Sequence, residues 1–355
     1  MALPLYFLLL SAISLVATGQ SPAQCDFQWQ PPNSCRCALN QTSNNTAPAN
    51  WLYSSELNSD ALTILRRPDT PGAQIIYNWK QLEPTEGQYN FSQIEADLSR
   101  VESLGKNLWI WLLFQSYNRS RNPTPGYLNQ SMYNNGSVMA LGRPGEPGGW
   151  VAMQWNAHVR ARFQLLLTKL AERFDGRIYG INLDETSVQL SPAVAKASAF
   201  SPKAWYDAEQ ENILHARRAF SSSHVVQFVN FWPGELYSND AVMNDSFAFY
   251  AEHGIGFGGP DNIPWNCPYM TNSYPLYSQY KNKVPIRITS VQEPDYKDYI
   301  NPQTNSTFTK DEFIQFARDY LQVDIIFWAV TSPLYNAAVP GRKRRPLTGP
   351  GLGPN

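Results

Sequence analysis

Residues 73–114, AQIIYNWKQLEPTEGQYNFSQIEADLSRVESLGKNLWIWLLF, contain one complete unit of a pattern that repeats along the chain. Ala73 to Trp79 is rich in Ile and aromatic residues and reads as a strand, and the Glu83-Pro84 and Glu86-Gly87 pairs that follow are turn chemistry. Ile94, Leu98, Val101 and Leu104 then recur at helical spacing, Gly105 supplies the C-terminal cap, and Leu108 to Phe114 is a second strand. Both strands are close to continuously apolar, which suits parallel strands covered on two faces.

The unit recurs in both directions. Upstream, Trp51 to Tyr53 is a weak first strand and Asp60 to Arg67 a short helix that Pro68 stops. Downstream, Val159, Phe163, Leu166, Leu167 and Leu170 mark a helix, followed by a strand at Ile178 to Leu183, a helix at Ala204 to Phe220 and a strand at His224 to Trp232. Gly254 to Gly258 is a short glycine-rich strand, and Val284 to Val291 and Val323 to Val330 complete the series, with the helix Lys310 to Gln322 between them. Eight strands, each followed by a helix or a long loop, predict an α/β fold of the closed (β/α)8 TIM-barrel type in a single catalytic domain over residues 51–340. An open doubly wound sheet is the alternative that the weak first strand leaves. The stretch from Gln115 to Trp155, dense in Asn, Pro and Gly, is too long for an ordinary connector and reads as a functional loop after the third strand.

The remainder of the chain reads as packaging. Residues 1–19 carry an apolar run from Leu3 to Leu10, a second around Ile13 to Val16 and then Ala17, Thr18 and Gly19, the pattern of a signal peptide without a basic n-region. No later segment is apolar enough to cross a membrane, so a secreted, extracellular protein is expected. Sequons at Asn40, Asn44, Asn90, Asn118, Asn129, Asn135, Asn244 and Asn305 fit glycosylation in a eukaryotic secretory pathway. Cys25, Cys35, Cys37 and Cys267 fit two disulfides, one of them tying the extension at residues 20–50 to the Cys267 loop, with the pairing open. Residues 341–355 form a basic tail read as disordered. With 28 Lys plus Arg against 29 Asp plus Glu, the chain offers no electrostatic case for nucleic acid or anionic membrane as partner, and a monomer acting on a saccharide is expected.

In such a barrel the C-terminal strand ends carry the active site. Glu185 follows Ile181-Asn182-Leu183-Asp184 at the end of the fourth strand, and Glu293 follows Thr289-Ser290-Val291-Gln292 just past the seventh. Strands four and seven face each other across a barrel of eight, so the two carboxyls can converge on one bond. Glycoside hydrolysis needs that arrangement: an acid for the leaving oxygen and a carboxylate for the anomeric carbon. Glu235, after the fifth strand, is the main rival. Trp79, Trp111, Trp232, Trp265 and Trp328 lie near strand ends and are candidates to stack on sugar faces, while Gln115, Asn182, Asn230 and Gln292 are candidates to bind hydroxyls.

The run from Asn78 to Phe91, NWKQLEPTEGQYNF, resembles the W-x-x-L-E-P-x-E-G-x-Y-x-F segment after the second strand of clan A glycoside hydrolases, the superfamily of cellulase-like and β-galactosidase-like barrels. The resemblance implies a retaining enzyme with Glu185 as acid/base, Glu293 as nucleophile and Trp328 as the floor of the sugar site. Two residues depart from it. Asp184 stands where the family has Asn, and its charge should raise the pKa of Glu185 while its oxygen accepts from a sugar hydroxyl. Tyr77 and Asn78 occupy the place of the family's second-strand Arg. Glu83 and Glu86, inside the motif, read as fixing the loop.

Other chemistries find little support. His158, His215, His224 and His253 have no metal-ligand spacing, and there is neither a G-x-S-x-G elbow nor a Walker loop. Gly254 to Gly259 satisfies G-x-G-x-x-G, but Pro260 follows and no helix opens there. The expected function is a cofactor-free, secreted retaining hydrolase of a β-linked oligo- or polysaccharide. A carbohydrate-binding barrel without chemistry and a transglycosylase are the alternatives.

Overall fold

The computed structural model describes residues 45–142, 148–234, 241–264 and 272–336. Eight parallel strands close into a barrel: β1 Ala49–Ser54, β2 Gly72–Asn78, β3 Asn107–Leu113, β4 Gly180–Glu185, β5 His224–Phe228, β6 Gly256–Gly259, β7 Arg287–Val291 and β8 Ile325–Ala329. β8 pairs with β1, so no strand edge is left open and the doubly wound alternative is excluded. The first strand is stronger than its sequence suggested and begins at Ala49, before the expected boundary at residue 51. The leader, the four cysteines, the sequons Asn40 and Asn44, Glu235, Trp265 and the basic tail lie outside the described residues. Asn90, Asn129, Asn135 and Asn305 are exposed, and Asn118 and Asn244 are half-buried.

Helices α1 Ser59–Leu65, α2 Ser92–Ser103, α3 Ala157–Phe174, α4 Pro202–Ala219, α5 Ala241–His253, α6 Tyr274–Gln279 and α7 Lys310–Phe316 follow β1 to β7 in turn. Their starts are built locally. Asn156 accepts the His158 and Val159 amides ahead of α3, Ser201 accepts the Ala204 amide with Pro202 in the first turn of α4, and Thr309 with Glu312 forms a capping box on α7. The helix expected to reach Gln322 turns into a single π-helical segment, Ala317–Leu321, and stops where Gln322 adopts a left-handed conformation. The long loop after β3 is itself folded, with Gln115–Ser116, Ser137–Met139 and Trp150–Ala152 forming a small antiparallel sheet.

Contacts between strands that are not neighbours reveal which side chains fill the barrel. Trp51 meets Trp109 edge to face at 6.5 Å, and Trp109 meets Phe327 at 5.4 Å. Gln74 and Trp109 donate to the side-chain oxygen of Asn182 at 2.8 and 2.9 Å. One layer higher, Trp111 packs on Tyr53 and Phe228. Glycines make room for this aromatic filling: a Cβ at Gly72 would lie 2.3 Å from the Trp51 ring, and one at Gly180 would lie 2.6 Å from the Trp109 ring. At Gly258 it would lie 2.4 Å from Ile288, so the glycine-rich sixth strand is close packing between strands, as its lack of a following helix indicated.

The motif that carried the family resemblance has a structural role. Glu83, fully buried, accepts from Trp79 Nε1 at 2.9 Å, Tyr127 Oη at 2.8 Å, the Gly87 amide at 3.0 Å and the guanidinium of Arg162 on α3. It thereby ties the second βα loop, the third loop and α3 together. Glu83→Ala leaves Arg162 with the neutral Tyr127 hydroxyl and the more distant Glu86 in place of its close carboxylate, and is expected to cost about 3–5 kcal/mol, measured as a shift in denaturant midpoint at constant slope.

Candidate active site

Glu185 is the last residue of β4, at the C-terminal mouth, and a register irregularity between Leu183 and Glu185 re-aims its side chain. It is 7% exposed. Its Oε2 receives two short hydrogen bonds, from Tyr117 Oη at 2.6 Å and from Asn230 Nδ2 at 2.6 Å. Both donors engage the same oxygen, so Oε1 is the oxygen available to carry a proton. Burial pushes the pKa up to about 8; the charge of Asp261 adds to the rise, as does that of Asp184, while the Tyr117 and Asn230 hydrogen bonds oppose it. A carboxyl in this state is a proton donor at neutral pH.

Asp184 affects Glu185 in the expected direction, but burial and then Asp261 are larger causes. Its Oδ2 accepts the Phe114 and Gln115 amides at 3.0 and 2.9 Å, so it braces the end of β3 against β4. Burial pushes its own pKa up to about 7 against those bonds. Gln115 does not face a ligand either: it donates to the Glu185 carbonyl at 3.0 Å.

Glu293 opens the short helix Glu293–Lys297, where Gln292 and Asp295 form a capping box, and its side chain is 17% exposed with Lys297 Nζ at 3.6 Å. The buried phenol of Tyr53, on β1, relates the two glutamates. Its pKa is raised by burial first and then by the charges of Glu293, Glu185, Asp184 and Asp295, so both glutamates act electrostatically on the same buried phenol. Asp295 is fully buried and its Oδ2 accepts the Gln292 amide at 2.8 Å and the Asn262 amide at 3.4 Å; burial followed by the Asp261 charge drives its pKa well up. Sequence reasoning passed over Asp261, although it lies two residues beyond β6, where the rule of polar residues at strand ends applies.

Several residues named from sequence sit elsewhere, for reasons of strand alternation. Trp328 points out of the barrel: it is completely buried, stacks on Tyr335 at 5.7 Å, meets Phe313 of α7 edge to face and donates to Asn50 at 2.7 Å. The inward residue of its strand is its neighbour Phe327, so Trp328 floors no sugar site. Tyr77 likewise faces α2 and donates to Asp97 at 2.9 Å, and Trp79 is buried against Phe163 of α3. Trp232 is 2% exposed and packs on Tyr206. Asn182 lies on the barrel floor with its oxygen already bonded to Gln74 and Trp109. Gln292 donates to the Pro260 carbonyl at 2.6 Å and joins the sixth and seventh loops. Of the proposed ligand-binding amides, Asn230 stays in direct contact with Glu185.

No family model and no curated sequence matches the chain. Solved structures do. The catalytic domain of β-amylase from Paenibacillus polymyxa aligns over 80% of this chain and 93% of its own, with a TM-score of 0.54 and 8% identity. GH5_18 from Streptomyces cattleya in complex with GlcNAc aligns over 80% of this chain and 71% of its own, with a TM-score of 0.52 and 12% identity. This is the barrel fold of glycoside hydrolases. At these identities the likeness concerns the barrel, and the chemistry has to come from the side chains at its mouth.

Proposed function

We propose that the protein is a secreted glycoside hydrolase acting on a β-linked oligo- or polysaccharide by double displacement, with Glu185 as acid/base and Glu293 as nucleophile. The observation that carries the reading is the state of Glu185: buried at the end of β4, held at one oxygen by Tyr117 and Asn230, and with its pKa pushed up to about 8. In the first step Oε1 protonates the glycosidic oxygen while the Glu293 carboxylate attacks the anomeric carbon from across the barrel, breaking the C–O bond and forming a glycosyl ester. In the second, ionised Glu185 takes a proton from water, which attacks the same carbon and frees Glu293.

One observation favours a second assignment on the same site. Of the neighbouring acids, Asp261 bears most on Glu185. Were Asp261 the base, water would attack directly and the anomeric configuration would invert.

The experiment is reducing-sugar release from β-glucans, mannans, xylans and galactans by wild type and Glu185→Gln, with the anomer of the first product read by NMR. Release that requires Glu185 and gives a β first product supports double displacement. An α first product transfers the second role to Asp261. No release from any polymer counts against the enzyme reading and favours a carbohydrate-binding barrel.

A further inference from the structure

Tyr117 went unnoticed in the sequence, yet it combines two properties seldom found in one side chain. Its hydroxyl is fixed on Glu185 Oε2 at 2.6 Å, with Ser187 Oγ a further 3.4 Å away. The residue as a whole is nevertheless 57% exposed, the most exposed of the large hydrophobic residues described, and no aromatic ring or cation packs on it among the described residues. An aromatic ring left open to water beside a proton donor is apolar surface that the fold itself does not use.

The mount under that ring is rigid. Tyr117 follows directly on the strand Gln115–Ser116, which pairs antiparallel with Trp150 and Val151. Gly149 lies so close beneath it that a Cβ there would sit 1.6 Å from the Ser116 carbonyl oxygen and 2.7 Å from Tyr117 Cα. On the other side Trp150 Nε1 donates to the Arg119 carbonyl at 2.7 Å, and the Asn118 amide donates to Ser116 Oγ at 3.1 Å. A main chain held by the small sheet and a hydroxyl fixed at the tip anchor the ring at both ends, so a ligand meeting its face meets a surface already in place.

We propose that Tyr117 is the platform on which the leaving-group sugar stacks, so that one residue both orients the acid and seats the group the acid must protonate. The inference rests on the glycosidase reading above and extends it to substrate class: a β-linked oligosaccharide whose sugar on the leaving side presents a flat face of C–H groups. The side follows from the geometry. In double displacement the departing sugar and the nucleophile lie on opposite sides of the anomeric carbon, and Tyr117 follows β3 while Glu293 follows β7, across the barrel. C–H groups of an equatorially substituted pyranose lie well against an aromatic face.

Tyr117→Phe and Tyr117→Ala both lose the hydroxyl, so the difference between them isolates the ring. They are to be compared on β-1,4-linked tetraoses of glucose, mannose, xylose and galactose, and on β-glycosyl fluorides of the same single sugars, whose one-atom leaving group leaves nothing on the leaving side to stack. The expected result is a KM for the tetraose about tenfold higher in the Ala than in the Phe variant, and equal KM values for the two variants on the glycosyl fluorides. The Phe variant is also expected to move the alkaline limb of its pH profile upward, because it loses a hydrogen bond that favours ionised Glu185. Equal KM values for Phe and Ala on a tetraose that wild type cleaves overturn the platform and leave the parent reading standing. A wild type without Glu185-dependent cleavage of any of these substrates overturns both.

Discussion

Glu185→Ala is expected to lower kcat/KM on a polysaccharide about a thousandfold, because a poor leaving group must then depart without a proton. On a 2,4-dinitrophenyl glycoside the same variant should still form its glycosyl ester, since that leaving group needs no acid, and should stall at the second step, where Glu185 acts as base. Added azide needs no base and should relieve the stall, giving a glycosyl azide of the substrate's own anomeric configuration. Glu293→Ala should be silent on both substrates until azide is added, and then give the opposite anomer, because azide now attacks in place of the missing carboxylate. The two products therefore assign the roles independently of how far each rate falls. A Glu293→Ala variant that still cleaves polysaccharide at a tenth of the wild-type rate removes Glu293 from the reaction and makes Asp261→Ala the decisive variant.

A second large effect is on stability. Four buried carboxyls are shifted upward: Asp184 to about 7, Glu185 to about 8, and Asp295 and Glu209 well above their ordinary range, burial being the first cause in each. A group whose pKa is raised by folding contributes stability that is fully present below its unfolded pKa, near 4, and is lost as pH rises through the folded value. The protein should therefore lose stability between about pH 4 and pH 8, by on the order of a few kcal/mol from Asp184 and Glu185 alone. The shifted surface acids have the opposite sign. Glu95, held down to about 2 by Arg177, and Asp69, held down by Arg67, lose their contribution only at lower pH, so the optimum lies on the acid side. A melting temperature at pH 4.5 above that at pH 8.5 by on the order of 10 °C is expected. Glu209 makes the control, because neither of its oxygens has a hydrogen-bond partner among the described residues. Glu209→Gln should raise the melting temperature at pH 8.5 and leave that at pH 4.5 little changed. A melting temperature that climbs from pH 4.5 to 8.5 would contradict the assignment of these four groups.

Most of the strands were legible because they are short apolar runs bounded by turn residues, the signature a parallel barrel imposes, while the first was weak in sequence and the sixth, Gly256–Gly259, was found by its place in the series. Glu185 was legible by the same logic, as an acid directly at a strand end. What the sequence concealed is orientation. Trp328 and Phe327 are adjacent and both large, and nothing in their identities says which faces the barrel; that is fixed by the register of β8 against β1, where Phe327 pairs with Trp51 and Trp328 with Leu52. Trp79 and Tyr77 were misplaced for the same reason. Tyr117 was hidden differently: it belongs to a loop whose small sheet is assembled from three segments far apart in sequence, and no local pattern announces that Gln115 and Ser116 will pair with Trp150 and Val151. Asp261 was within reach of the strand-end rule, but the glycine run before it drew attention to nucleotide motifs instead.

The glycines beneath the barrel's tryptophans bear on how this chain can change over generations. Gly180 has no space for even a methyl group while Trp109 is present, and Gly72 has none beside the Trp51 ring and the Asn107 carbonyl oxygen. A mutation at either glycine alone strikes an indole, and a smaller residue at either tryptophan alone opens a void; the 109/180 pair can be exchanged only through a damaged intermediate or by a compensating second change, and at Gly72 the backbone carbonyl of Asn107 blocks even that. In distant relatives of this protein the large–small pairing of 109 with 180 should therefore persist as a covarying signature after the surface sequence has diverged beyond alignment, with the bulky member free to move from one strand to the other, whereas position 72 should stay glycine whatever stands at 51.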